Sequence, residues 1–153
     1  MTTLKEQLQE DLTAAIRTRD ELRSSTIRLT LSAVTGEEVA AGKERRELSD
    51  AEVLKVLARE AKKRREAAEA FDAAGRTDSA ARERAEGEVL AGYLPEQLSD
   101  EELAAIVAEA VAASGATGPQ GMGAVMKLVK PKVEGLAEGG RVAAVVKAAL
   151  TSG

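Results

Sequence analysis

The chain of 153 residues contains no cysteine, no histidine and no tryptophan. Without cysteine no disulfide can form, and without either cysteine or histidine no zinc site of the Cys/His kind can be built. Cysteine- and histidine-based nucleophilic catalysis fall away with them. So does the side chain that most often serves as a general base near neutral pH. Aromatic residues are nearly absent: Phe71 and Tyr93 are the only two. No apolar run approaches the ~20 residues needed to span a bilayer. The stretch from Met1 to Ile16 lacks the basic start and apolar core of a signal peptide. A cytoplasmic location with no membrane partner is therefore expected. A cationic excess is also missing, since 22 Lys and Arg face 26 Asp and Glu for a net charge of −4. That balance disfavours a strong, sequence-blind nucleic-acid binder and still allows a local basic patch.

What is present points to helix. Hydrophobic residues make up 44% and charged residues 31% of the chain, enough to bury a core beneath a wet surface. The apolar fraction is mostly Ala, Val and Leu, and with Glu, Lys and Arg these are mainly helix formers. Leu4, Leu8, Leu12 and Ile16 recur every four residues and predict a first helix over Thr3 to Thr18, with Thr3 and Glu6 at capping-box spacing. The next segment is ambiguous. Ile27, Leu29, Leu31 and Ala33 alternate with polar residues as a strand would, while Leu22, Leu29, Ala33 and Ala40 suit one side of a helix. No second strand-like run exists to pair with it, and a lone strand leaves its backbone groups unsatisfied. A helix over Glu21 to Ala41, stopped by Gly42, is the expectation.

Ser49 and Glu52 form a second capping box, with Leu48 and Val53 as a hydrophobic staple. Val53, Leu57, Ala61, Ala68 and Phe71 then mark one face of a long helix, and Gly75 suits a left-handed terminator. A fourth helix starts at Thr77 or Asp78, carries Ala81, Ala85, Val89 and Leu90, and stops before Pro95. Ser99 with Glu102 and Leu98 with Leu103 repeat the box and staple. Leu103, Ile106, Val107, Ala110 and Val111 follow as a buried face. Pro119 suits the first turn of a sixth helix bearing Met122, Val125, Met126 and Val129, and Pro131 is expected to end it. After Gly135, Gly139 and Gly140, a seventh helix carries Val142, Val145, Val146, Ala149 and Leu150. Composition shifts at Pro95, from Arg- and Glu-rich to Val-rich. The expected architecture is all-α: an N-terminal antiparallel bundle of long helices over residues 1–95 and a small three-helix tail domain over 96–153.

Several runs carry a family resemblance. Tyr93-Leu94-Pro95-Glu96-Gln97-Leu98-Ser99-Asp100-Glu101-Glu102-Leu103 is one, and Gly121-Met122-Gly123-Ala124-Val125-Met126-Lys127 with Pro131-Lys132-Val133 is another. Arg28-Leu29 with Ala33, and Arg59-Glu60 through Arg64-Arg65-Glu66 with Phe71 and Gly75-Arg76, are weaker matches. Together they resemble the GatB/YqeY family, in its stand-alone YqeY-like form. The resemblance implies a C-terminal unit shared with the tail of the B subunit of the glutamine-dependent Asp-tRNA/Glu-tRNA amidotransferase, where it contacts tRNA. It implies an accessory role linked to RNA, with tRNA or an aminoacyl-tRNA enzyme as partner. Any carbon–nitrogen ligase label, with glutamine as amido donor, would be inherited from the larger enzyme, whose catalytic domains have no counterpart here. Where the family commonly has basic residues this chain has Ala124, Glu134 and Leu136, which lowers the positive charge of the tail.

Lys127, Lys130 and Lys132, with Arg141 and Lys147, form the best basic cluster in the tail, and no acidic residue lies between Gln120 and Val133. Lys127, Lys130, Lys132 and Arg141 are the candidate RNA-contacting residues, meeting phosphates as point charges. The competing reading is a solvated helix face with Lys near its C-terminal end. The denser run Lys62-Lys63-Arg64-Arg65 spreads around a helix beside Glu60, Glu66 and Glu69 and reads mainly as a salt-bridged surface. Glu44, Glu47, Glu101 and Glu102 offer no pair placed for acid/base work. Gly121-x-Gly123 lacks the lysine-and-hydroxyl ending of a phosphate loop and suits close helix approach better. Tyr93 could stack on a base but more often would serve as an interdomain plug. No catalytic, cofactor or metal residue is assigned, and a monomer is compatible with the pattern. The alternative function is a protein–protein interaction module without RNA binding, using an apolar groove of the tail and the loop from Gly135 to Gly140.

Overall fold

The capping boxes anticipated from sequence set the register of the helices. In the computed structural model, which describes residues 2–40 and 44–151, Thr3, Ser49 and Ser99 each accept from the amide three residues on, and the glutamate there accepts in return from the cap's own N–H. Among the described residues seven α-helices follow in order: α1 Leu4–Arg17, α2 Glu21–Glu38, α3 Asp50–Ala73, α4 Thr77–Ala91, α5 Asp100–Ser114, α6 Met122–Val133 and α7 Gly139–Thr151, with a 3-10 turn at Pro119–Gly121 leading into α6. The described residues contain no strand. The ambiguous segment from Ile27 to Ala33 is helical within α2. Its expected end at Ala41 and Gly42 lies outside the described residues.

The chain divides into two compact units, Met1–Leu94 and Pro95–Gly153. In the first, α3 packs most extensively on α4, and α1 on α2. Its apolar core joins Leu8, Ile27, Val34, Val53, Val56, Leu57, Ala61 and Leu90. In the second, α5 packs on both α6 and α7, around Leu103, Val107, Ala110, Val125, Val129, Val133, Val142, Val146 and Leu150.

The faces of the first unit depart from the expected ones. Ile16 is 53% exposed, and Ala15 takes its place in the core. A four-residue step overshoots the helical turn by about 40°, so three steps carry Ile16 about 120° away from Leu4. In α2 the buried row is Thr26, Thr30, Val34 and Glu38 with Ile27, while Leu29 is 55% exposed and Ala40, beyond the helix, is exposed too. The two threonines tolerate burial because each hydroxyl donates to a carbonyl one turn earlier, at 2.8 Å to Leu22 and 2.9 Å to Thr26. In α4 the buried residues are Ala80, Glu86 and Leu90, and Ala81 is exposed. Phe71 is half-buried, with the Arg76 guanidinium 5.0 Å from its ring centroid.

Buried carboxylates accompany the departures in α2 and α4. Glu38 accepts from Lys5 Nζ at 2.9 Å and lies 3.4 Å from Arg45. The Lys5 bond holds the Glu38 carboxyl below its ordinary value, against burial that pushes it up, with the Leu48 amide and Arg45 assisting. Arg64 reaches from α3 to Glu83 at 3.4 Å and Glu86 at 3.2 Å on α4, and Arg82 lies 3.1 Å from Glu86.

Proline placement also differs from expectation. Pro131 stands inside α6, and the helix runs on to Val133. Proline there removes only the bond to Lys127, while Val133, buried in the core, draws the last turn closed. The Glu134 amide then donates to Lys130 at 3.0 Å. At the ends of helices, Gly75 adopts φ +76° and Gly115 φ +68°, the left-handed conformation that glycine takes without steric cost.

Candidate nucleic-acid interface

α6 presents three valines inward at four-residue intervals, Val125, Val129 and Val133, all buried. That fixes where its lysines stand. Lys127 lies two residues from both Val125 and Val129, about 160° from the centre of the buried row. It therefore points to solvent, and Lys130 lies about 60° from it around the axis. Lys132 falls on the opposite flank, about 160° from Lys130. All three are exposed, and among the described residues none has a carboxylate within 4.0 Å. Leu128, between Lys127 and Lys130 in sequence, is 41% exposed. Arg141 on α7 is engaged differently, donating to Asp100 at 2.8 Å. The structure thus groups Lys127 with Lys130, sets Lys132 to the other side of α6, and gives Arg141 a carboxylate partner. Lys147 on α7 is exposed.

The residues that flank α6 hold the unit together. Gln97 Nε2 donates to the carbonyls of Pro95 at 2.9 Å and Gly135 at 3.2 Å. The Leu98 amide donates to the Leu136 carbonyl at 2.8 Å. The Pro95–Leu98 segment is therefore clipped to the loop after α6, and the backbone of Gly135 and Leu136 is occupied within the unit. Gly121 is required by close approach, because a Cβ there would stand 2.4 Å from that of Ala116. Gly123 has open space around it, so helix approach does not explain it.

In the first unit, Lys62 pairs with Glu66 at 3.8 Å and Lys63 with Glu60 at 3.0 Å, so with Arg64 bound to α4 the basic run is laced with carboxylates. Tyr93 is committed as well. Its hydroxyl donates to Asp11 and accepts from Arg23 at 3.2 Å, and the Arg23 guanidinium lies 5.9 Å from the ring centroid. Burial, then the bond to Asp11, pushes the phenol pKa up. Among the described residues, no group of three or more acidic side chains is placed to hold a metal ion. No helix there is long and apolar enough to cross a membrane. A cavity of about 10 Å³ beside Glu60, Arg64 and Glu86 is no larger than a water.

A roomier groove of about 330 Å³ lies on α1 and α2, lined by Leu12, Arg28, Leu31, Ser32 and Thr35. The sequence offered Arg28 only as part of a motif; the groove arises from the way α1 crosses α2.

These features describe a small all-helical protein of two compact units, one carrying an exposed basic helix. The family profile described as Yqey-like protein matches residues 5–150, and the chain belongs to the YqeY-like family. No curated protein matches the chain.

Proposed function

We propose that the protein is a non-catalytic, cytoplasmic accessory protein that associates with tRNA or with an aminoacyl-tRNA enzyme through its second unit. The observation that carries this reading is the solvent face of α6. Lys127 and Lys130 share it, Lys132 flanks it, all are exposed, and none is neutralised by a neighbouring carboxylate among the described residues. Unpaired surface cations on a helix with no acidic residue are suited to phosphate, which they meet without reading bases. The second unit carries no aromatic residue on which a base could stack. The link to the amidotransferase rests on resemblance of the tail and assigns no ligase chemistry to this chain.

A filter-binding titration of tRNA tests the proposal. Wild type is expected to bind at about micromolar at physiological salt, in the range of non-specific binders. Changing Lys127, Lys130, Lys132 and Arg141 together to Ala should weaken binding, and each lost phosphate contact should lower the log–log salt slope by about 0.7–0.9. Arg141→Ala alone should contribute least, since its charge is already paired with Asp100. Equal curves for wild type and the fourfold variant, or no binding at low salt, would retire the RNA reading.

A further inference from the structure

The groove on α1 and α2 belongs to the first unit. Its floor is apolar, formed by Leu12 and Leu31. Along its α2 side, Arg28, Ser32 and Thr35 follow at spacings of four and three residues, one stripe of the helix.

The polar groups of the stripe are unspent. Buried hydroxyls on the other face of α2, those of Thr26 and Thr30, bond to their own helix. Ser32 and Thr35 make no side-chain hydrogen bond among the described residues. Several guanidinium groups in this unit find carboxylates, Arg45 on Glu38, Arg46 on Glu52, Arg59 on Glu37 and Arg84 on Asp72, whereas Arg17 and Arg19 are exposed and have no carboxylate among the described residues. Arg28 is exposed and has no carboxylate among the described residues. A half-buried apolar floor with an unpaired cation beside it is complementary to a surface that brings an apolar side chain and an anion together.

We propose that this groove docks an acidic amphipathic segment of a partner protein. An apolar side chain of the segment seats on Leu12 and Leu31, and a carboxylate about one helical turn away pairs with the Arg28 guanidinium. Ser32 and Thr35 donate to the same carboxylate or to its neighbours. Arginine suits a carboxylate better than lysine would, because its planar fork binds both oxygens. A nucleic acid would satisfy Arg28 through phosphate but would leave the leucines without an apolar counterpart, and the groove has no aromatic ring for a base.

The test is selection of short peptides from a random displayed library against the intact protein, followed by fluorescence-anisotropy titration of the peptides recovered. Enriched sequences should combine Leu, Ile, Met or Phe with Asp or Glu at helical spacing. Arg28→Glu, a change at an exposed position, should weaken the best peptide by roughly tenfold or more, the worth of one charge-assisted contact. A peptide with its acids changed to Lys should bind Arg28→Glu better than wild type. Lys127→Glu should leave peptide binding unchanged, and backbone amide shifts on peptide addition should cluster in α1 and α2. The proposal is overturned if no acidic-apolar pattern emerges or if the peptides bind Arg28→Glu as they bind wild type. It is equally overturned if tRNA displaces them by occupying the groove itself. None of these results bears on the α6 lysines, whose tRNA titration stands or falls separately.

Discussion

The two units solve the same packing problem with different chemistry. The second has an aliphatic core built largely from valine and leucine, with Arg141 on α7 paired to Asp100 on α5. The first buries Thr26, Thr30, Glu38, Glu60 and Glu86 alongside its leucines and valines and ties α1 to α2, and α3 to α4, by ionic contacts. Aliphatic burial is non-directional and scales with area. Buried ion pairs roughly balance desolvation against attraction, and their loss is costly only when one partner is left behind. The comparison teaches that the second unit depends on volume and the first on completeness of pairing.

The largest expected effect separates the units. Leu103→Ala removes a side chain that is fully buried and should cost roughly 2–5 kcal/mol. In a unit this small that approaches its whole stability. Heteronuclear NMR should show residues 95–153 losing dispersion while residues of the first unit keep theirs. Simultaneous loss in both would show that the two do not fold independently.

Next is the Lys5–Glu38 pair. Lys5→Met leaves the Glu38 side chain, 1% exposed, with the Leu48 amide and the more distant Arg45, and should cost about 3 kcal/mol. Adding Glu38→Met to the same chain should restore stability to near wild type or above. Chemical denaturation of the single and double variants checks this. If the double variant is no more stable than the single, completeness of pairing is not what matters.

Acid sharpens the comparison. Glu38 is held low chiefly by its bond from Lys5, and Glu52 is lowered to about 2, chiefly by Arg46 and then by the Ser49 amide. In the second unit Glu102 is also lowered, by the Ser99 amide first and the Ser99 hydroxyl second. A carboxyl whose folded value is depressed contributes stability above its unfolded value, here 4.5, and loses it as pH falls through the folded value. Unfolding followed by NMR between pH 4.5 and about 2 should therefore reach the first unit, which has the buried Glu38, before the second. The reverse order would break the contrast.

The smallest expected effect is common to both units. Ser49→Ala and Ser99→Ala each remove a side chain that caps an amide three residues on, and each should cost about 1 kcal/mol. Unequal shifts in denaturation midpoint would show that one cap is backed by its surroundings.

The candidate site was legible in part. Lys127 and Lys130 could be placed on one face from their spacing alone, because helix geometry is local. That Arg141 is paired with Asp100 could not be read, since the two are far apart in sequence and meet only when α7 packs on α5. The groove of Leu12, Arg28, Leu31, Ser32 and Thr35 was not legible for the same reason. Its residues come from two helices, and its free polar groups are defined by partners they lack.

Taken alone, the sequence determined the helices, their three capping boxes, the glycine at the end of α3 and the aliphatic face of α5. Each depends on contacts within a few residues, where propensity, capping and a 3.6-residue period decide the outcome. Tertiary structure alone decided which face of α1, α2 and α4 turned inward. Apolar periodicity treats every Thr and Glu as solvent-facing, yet Thr26 and Thr30 are satisfied by their own helix and Glu38 and Glu86 by cations from other helices. It also decided that α6 runs through Pro131, because burying Val133 outweighs one missing backbone bond near the helix end.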